Sequence, residues 1–303
     1  MEEKVLVTGA NGFIGSHLVD KLIKQGFSVK CMVRKTSNLR WIDKCLVDCV
    51  CADMCDSGSL EEAVKDVDYI YHLGGTVRMV NSHRFYEINS TGTKNLVEAV
   101  KKKNPGIKKF VYVSTLAAGD AQGKEPVSHY GKSKREAEEW VKELEVYSIV
   151  RPTGVYGPRD TDFLRLFKMA IKGIFIKPRK SGDLSFIHVN DCVEGILNAG
   201  TGKVSFLSDG SRYSWDEVMK VLENILEKKI RCVVIPLTLI KVMGLIGTVF
   251  SKVTGTPVLL NMDKVKEINA GDWVVTDTSV KAEYHLESGL RDTYRWYREA
   301  GWL

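Results

Sequence analysis

Val5-Leu6-Val7-Thr8-Gly9-Ala10-Asn11-Gly12-Phe13-Ile14-Gly15 is the stretch that decides the fold of this chain. A short apolar run reads as a strand, the GxxGxxG spacing reads as a turn, and Leu18, Leu22 and Ile23 then recur at helical spacing. In that order of elements each glycine has a physical task. Gly9 permits the tight turn, Gly12 lets the backbone approach an anion, and Gly15 allows close helix-to-strand packing. Phe13 and Ile14 open the helix, where free N–H groups face that anion. The anion that suits such a turn is a dinucleotide pyrophosphate. A glycine triplet alone serves equally well as a structural turn, and its place directly after an amino-terminal strand favours the coenzyme.

Working outward, strand-like runs at residues 5–8, 27–33, 47–52, 69–72, 110–114 and 148–150 alternate with helical patterns, among them residues 85–103 and 132–144. Such alternation predicts an α/β fold with a doubly wound parallel sheet. Beyond Arg151-Pro152 the alternation becomes irregular. The expected organisation is a dinucleotide-binding core over residues 1–155, with residues 186–208 returning to it. A smaller, irregular carboxy-terminal substrate lobe takes residues 156–185 and 209–303. The 303 residues, 44% of them hydrophobic, suffice for a sizeable core.

Charge and cysteine content narrow the function classes. The net charge of +6 suits an anionic coenzyme, and the basic clusters Lys101-Lys102-Lys103 and Lys108-Lys109 flank a helix end, where they complement its dipole. No basic stripe interleaved with aromatics accompanies them, so nucleic acid is not an expected partner. Of the seven cysteines, Cys45, Cys49, Cys51 and Cys55 cluster without a CxxC pair, which favours reduced structural thiols over a metal site. The first apolar run has strand length and no small-residue cleavage site, so a cytoplasmic protein is expected. Residues 233–250 are the most apolar stretch, broken by Pro236 and Lys241. They are read as a helix packed in the smaller lobe, Pro236 being a helix-start proline, with contact to a membrane surface as the minority alternative.

Two further signals concern the coenzyme and the chemistry. Where NAD-binding chains carry an acidic residue after the second strand, this one has Arg34-Lys35. A guanidinium can hold a 2′-phosphate in a bidentate fork, so NADP is expected, with NAD as the alternative. Asp53, after the third strand, is positioned to reach the adenine amino group and Met54 to pack on the ring. Tyr130 and Lys134, within His129-Tyr130-Gly131-Lys132-Ser133-Lys134, stack on one helical face. An ammonium beside a phenol favours the phenolate, which fits the pair to move a proton.

Taken together, these residues resemble the extended branch of the short-chain dehydrogenase/reductase superfamily, the group of epimerases, dehydratases and reductases built on a Rossmann-type sheet. The resemblance includes His72-Leu73-Gly74-Gly75, Asn89-Ser90-Thr91-Gly92-Thr93, Val113-Ser114-Thr115, the Arg151–Pro158 stretch and Phe186-Ile187-His188-Val189-Asn190-Asp191. It implies that Thr115 holds the substrate oxygen, Tyr130 transfers the proton, and Lys134 lowers the tyrosine pKa and binds the nicotinamide ribose. It also implies that Gly74, Asn89, Pro152 and Val155 border the coenzyme, and that two long helices, residues 85–103 and 132–144, form a homodimer.

Two departures narrow the reaction. Leu116-Ala117 stands where dehydratases of this group carry an acidic pair, and Leu184-Ser185 stands where sugar-nucleotide epimerases show Arg-Asp. The chain thereby resembles the dihydroflavonol reductase and 3β-hydroxysteroid dehydrogenase side of the branch. The expected function is an NADP(H)-preferring oxidoreductase interconverting a carbonyl and a secondary alcohol on a ring-bearing, largely apolar small molecule. The alternatives are a sugar-nucleotide epimerase with tightly bound NAD, whose diphosphate Lys177, Arg179 and Lys180 would clamp, and a non-catalytic cofactor-binding sensor.

Overall fold

The computed structural model describes residues 3–120 and 122–303. They divide into two compact units. One takes the residues up to Gly119 with His129–Arg151 and Val193–Ser205, the other Asp120–Ser128, Pro152–Cys192 and Phe206–Leu303.

The first unit begins β1 (Lys4–Thr8), α1 (Phe13–Lys24), β2 (Ser28–Val33), β3 (Asp48–Cys51), α2 (Ser57–Ala63) and β4 (Tyr69–His72). A short α3 (His83–Phe85) runs through a π-helical turn, Tyr86–Thr91, into α4 (Gly92–Lys103), followed by β5 (Lys109–Val113), α5 (His129–Val141) and β6 (Tyr147–Pro152). The chain later adds β10 (Val204–Leu207), giving a seven-stranded sheet ordered β10-β6-β5-β4-β1-β2-β3. The pairings from β3 through to β6 are parallel. Strand order reverses between β1 and β4, and a reversal of this kind opens a crevice at the strands' carboxyl ends. Strand centres such as Leu6, Ile70, Phe110 and Ile149 are fully buried, as expected for a parallel sheet covered on both faces.

The helix expected over residues 85–103 is therefore interrupted. In the π-helical turn the buried amide of Asn89 is drawn into side-chain bonds, and its carbonyl accepts from Thr93 Oγ1 at 2.6 Å. That local widening follows from tertiary partners, which apolar periodicity does not report.

The second unit contains β7 (Gly154–Tyr156), α6 (Asp162–Ile171), β8 (Ile174–Pro178), β9 (Phe186–His188) and the start of α7 (Val189–Leu197). After β10 it continues with α8 (Trp215–Leu226), β11 (Arg231–Ile235), α9 (Leu237–Thr254), α10 (Met262–Asn269) and α11 (Leu286–Glu299). Its strands pair as two small parallel ribbons, β7 with β9 and β8 with β11. Thus Phe186–His188 joins β7, and the stretch that returns to the first unit is Val193–Ser205. Tyr156, Phe167, Phe175, Phe186, Leu290 and Tyr297 build an aromatic core. Gly289 lets α11 pass against it, because a Cβ there would lie 2.1 Å from Tyr156 Oη.

One expectation holds only in part. Residues 233–250 do supply a helix of the second unit that Pro236 opens, but it is packed on one face only. Their first residues belong to β11, Pro236 is the N-cap of α9, and only Ile240, Gly244 and Ser251 of that helix are buried. The reason is one-sided cover. A Cβ at Gly244 would come within 2.4 Å of Val265 Cγ2, and one at Gly247 within 2.2 Å of the Leu260 carbonyl oxygen. Residues 258–265 thus close on one face of α9, and the opposite face stays exposed.

Candidate active site

A cavity of about 480 Å³ lies among residues that follow the carboxyl ends of β1, β2, β3 and β4. Gly9, Gly12, Arg34, Asp53, Met54 and Gly74 line it together with Asn11, Ser37, Gly75 and Thr76. Its size falls within the range of small-molecule and coenzyme pockets. The residues present fit a nicotinamide dinucleotide, because the floor is backbone packed too tightly for side chains. Gly9 has φ +69°, and a Cβ there would sit 2.8 Å from the Leu73 carbonyl carbon. At Gly74 a Cβ would meet Thr8 Oγ1 at 2.9 Å, and at Gly75 it would meet Asn89 Oδ1 at 2.9 Å. Gly12 is the N-cap of α1 and offers no side-chain acceptor, so the first-turn N–H groups, those of Phe13 and Ile14 among them, stay free for an anion. Gly15 works one layer down: a Cβ there would lie 2.1 Å from the Gly9 carbonyl oxygen, so its task is to seat the helix on the turn.

Along the rim, Arg34 to Ser37 forms a turn closed in both directions. Arg34 N–H donates to Ser37 Oγ at 3.0 Å, and Ser37 N–H donates to the Arg34 carbonyl at 3.0 Å. The Arg34 side chain is exposed and has no hydrogen-bond or ion-pair partner among the described residues. Asp53 is exposed, its Oδ1 accepting from Cys55 N–H at 2.9 Å. Met54 is buried in the cavity wall, where Gly92 makes room for it; a Cβ at Gly92 would stand 2.8 Å from Met54 Cβ.

Tyr130 and Lys134 lie on α5. Tyr130 is half-buried, its ring 6.1 Å from that of Phe85. Lys134 is buried; its Nζ donates to the Val113 carbonyl at 2.7 Å and stands 4.2 Å above the Tyr112 ring. Burial pushes its pKa down to about 7, opposed by the negative charge of Glu138. Thr115 is half-buried at the end of β5, and its Oγ1 accepts from Ala117 N–H at 3.2 Å. The neighbouring Ser114 is committed elsewhere, donating to Glu138 Oε1 at 2.5 Å. Thr115 thus keeps a hydroxyl proton to donate, whereas Ser114 does not.

Several supporting roles are not legible in the sequence. Glu138 and Arg151 form a buried bidentate pair, at 2.9 Å and 2.6 Å, and Arg151 also donates to the Gly119 carbonyl at 2.6 Å. A signal for Glu138 was available, since it follows Lys134 by four positions and Tyr130 by eight on the same face of α5. Asn89, expected beside the coenzyme, is buried and bonded inward. Its Oδ1 accepts from Thr76 N–H at 2.7 Å, while its Nδ2 donates to the Thr76 carbonyl and to Ser133 Oγ, both at 3.0 Å. It thereby ties a cavity-lining residue to the helix that carries Tyr130.

His72 completes this framework. Its Nδ1 meets Thr8 Oγ1 at 2.6 Å and its Nε2 meets Thr93 Oγ1 at 2.9 Å, and burial lowers its pKa to about 3. Because Thr93 donates to the Asn89 carbonyl, it accepts from Nε2–H, and the neutral ring accepts the Thr8 proton at Nδ1. Pro152 ends β6, and Val155 lies in β7 opposite Ile187. Lys177, one of the three basic residues that the epimerase alternative would use to clamp a diphosphate, is bonded to Asp216 at 2.5 and 2.6 Å. Among the described residues, no group of three or more His, Cys, Asp or Glu is arranged to hold a metal ion.

A glycine-floored cavity at the switch point of a doubly wound parallel sheet defines a dinucleotide-dependent enzyme. The chain belongs to the NAD dependent epimerase/dehydratase family, which it matches across residues 5–205. It is an NAD(P)-dependent enzyme of the extended short-chain dehydrogenase/reductase type. It is 30% identical to the ceramide reductase of Caulobacter vibrioides, over 99% of this chain and 96% of the relative. It is 26% identical to N-acetyl-alpha-D-glucosaminyl-diphospho-ditrans,octacis-undecaprenol 4-epimerase of Escherichia coli O157:H7, over 98% and 96%. Among solved structures, the UDP-glucose 4-epimerase of Thermotoga maritima shares the fold, with a TM-score of 0.77 at 21% identity over 98% of this chain and 99% of that one.

Proposed function

We propose that this enzyme is an NADP(H)-preferring oxidoreductase that interconverts a carbonyl and a secondary alcohol on a largely apolar, lipid-class substrate. The observation that carries the reading is that Arg34, whose guanidinium has no partner among the described residues, and Ser37 both line the cavity, so a 2′-phosphate there would find a cation and a hydroxyl. A coenzyme taken up through that phosphate suits a reaction that consumes it. The substrate class rests on the Caulobacter relative, a ceramide reductase similar over nearly the whole chain. The ring expected from sequence is one form of such a substrate rather than a requirement.

When bound, the coenzyme would supply or accept the hydride. In reduction, Thr115 Oγ1 donates a hydrogen bond to the carbonyl oxygen, which polarises it. Tyr130 then hands its phenolic proton to that oxygen as it gains charge. Lys134, held on the Val113 carbonyl, keeps a positive charge near the phenolate left behind. Glu138 favours the charged form of Lys134, and the Arg151 fork fixes Glu138. Leu116, buried, and Ala117, half-buried, offer no acid or base for an elimination, which disfavours dehydration.

The epimerase reading is favoured by the Escherichia coli relative, an epimerase similar over nearly the whole chain. Purified protein incubated with NADPH or NADH and a panel of lipid and sterol ketones, beside UDP-sugars, separates the two. Net NADPH oxidation with a ketone is expected. Sugar isomerisation without net coenzyme use would defeat the proposal.

A further inference from the structure

We infer that α9 is an interfacial helix that seats this protein on an anionic phospholipid bilayer, independently of which carbonyl the enzyme reduces. At about 100° per residue, Leu239, Val242, Met243, Leu245, Ile246, Val249, Phe250 and Val253 fall within an arc of about 160° on one side of the helix. All eight are exposed, among them Ile246 at 62% and Val253 at 80%. Ile240, Gly244, Gly247 and Ser251 occupy the opposite side, held against residues 258–265. Thr248 Oγ1 accepts from Met262 N–H at 3.0 Å, which fixes the helix further. With one long face bonded to its own chain, α9 cannot be surrounded by lipid, although it has 18 residues and the apolar composition of a candidate membrane span. A helix apolar on one side and anchored on the other lies in the interface plane.

Charge selects the occupant of that face. From Lys228 to Met262 the chain has no Asp or Glu, and it carries Lys228, Lys229, Arg231, Lys241 and Lys252. By the same helical geometry Lys241 and Lys252 share one border of the apolar arc. Both are exposed and have no ion-pair partner among the described residues. Their long stems can lie along apolar surface while the ammonium reaches a phosphate. A second copy packed face to face would oppose the same cations with no acid in the segment to pair them. An anionic headgroup layer over acyl chains answers both the apolar arc and its basic border.

The test is flotation of the full-length protein with phosphatidylcholine vesicles, with and without phosphatidylglycerol. Wild type is expected to float with the anionic vesicles, and less so as salt is raised. The Ile246→Glu, Phe250→Glu double variant should lose at least about tenfold in partitioning, while its melting temperature and coenzyme affinity stay unchanged. Lys241→Glu with Lys252→Glu should abolish the preference for phosphatidylglycerol. Wild type that fails to float, or an Ile246→Glu, Phe250→Glu protein that floats equally well, overturns the inference. A wild-type dimer that those two substitutions convert to monomer, without vesicle binding by wild type, would assign the face to a second copy.

Discussion

At the residue scale, the coenzyme and the proton depend on different side chains, which permits separate tests. Removing the Arg34 fork takes away a charge-assisted contact worth about 1.5–3 kcal/mol, or roughly ten- to a hundredfold in affinity. Arg34→Ala is therefore expected to weaken NADPH by that factor and NADH by less than about twofold, as read by fluorescence titration; equal losses would remove the phosphate role. Tyr130→Phe should lower kcat by at least about a hundredfold with coenzyme affinity preserved, since it removes only a proton that moves in the transition state. Lys134 makes a pH prediction. Its folded pKa of about 7 lies below its ordinary value of 10.5, so between those limits the unfolded chain binds the extra proton. Stability should then rise with pH across that window, by at most about 1.4 kcal/mol per pH unit, and the rise should vanish in Lys134→Met. Urea unfolding at the two ends of the window measures it. That Tyr130 and Lys134 share one helix was legible in the sequence because their spacing on α5 is local. The burial that tunes Lys134 was not, since it arises from Val113 and Tyr112 on β5.

At the scale of elements, the strands of the main sheet were legible because each is a short apolar run ended by a glycine or polar turn, and the observed ends differ from expectation by a residue or two. The π-helical turn and the α5–β6 clamp were not legible, because both are set by partners distant in sequence. Arg151 closes that clamp, joining the end of β5 to α5 through Glu138 and Ser114. Both members of the pair are buried, Glu138 completely. Removing the cation leaves a desolvated carboxylate with only the serine, and breaking such a pair costs about 3–5 kcal/mol. Arg151→Met should lower unfolding free energy by that amount and depress turnover with it, because Glu138 then shifts against Lys134. A loss under about 1 kcal/mol would mean that water solvates Glu138 in the variant and that the clamp is not the element's main tie.

On the scale of the whole molecule, the two units differ in legibility for a reason rooted in topology. The first mostly alternates strand and helix, so that, apart from the crossover from β3 to β4, successive strands from β1 to β6 are neighbours in the sheet. The second pairs β8 with β11 and β7 with β9 across intervening helices, leaving no local period to read. Residues 233–250 show the same difference: apolar content does not by itself report burial, and α9 keeps most of that content at its surface. Function divides in a corresponding way. Every residue lining the coenzyme cavity belongs to the first unit, and α9 belongs entirely to the second. A ligand that binds only the folded state stabilises it by RT ln(1 + [L]/Kd), about 2.7 kcal/mol at a hundred times Kd. The Ile246→Glu, Phe250→Glu protein should therefore gain as much stability from saturating NADPH as wild type does, even where it no longer reaches vesicles. Denaturant melts with and without NADPH, run on both proteins, decide the point. A smaller gain in the variant would couple α9 to the coenzyme site and make loss of vesicle binding and loss of coenzyme a single defect.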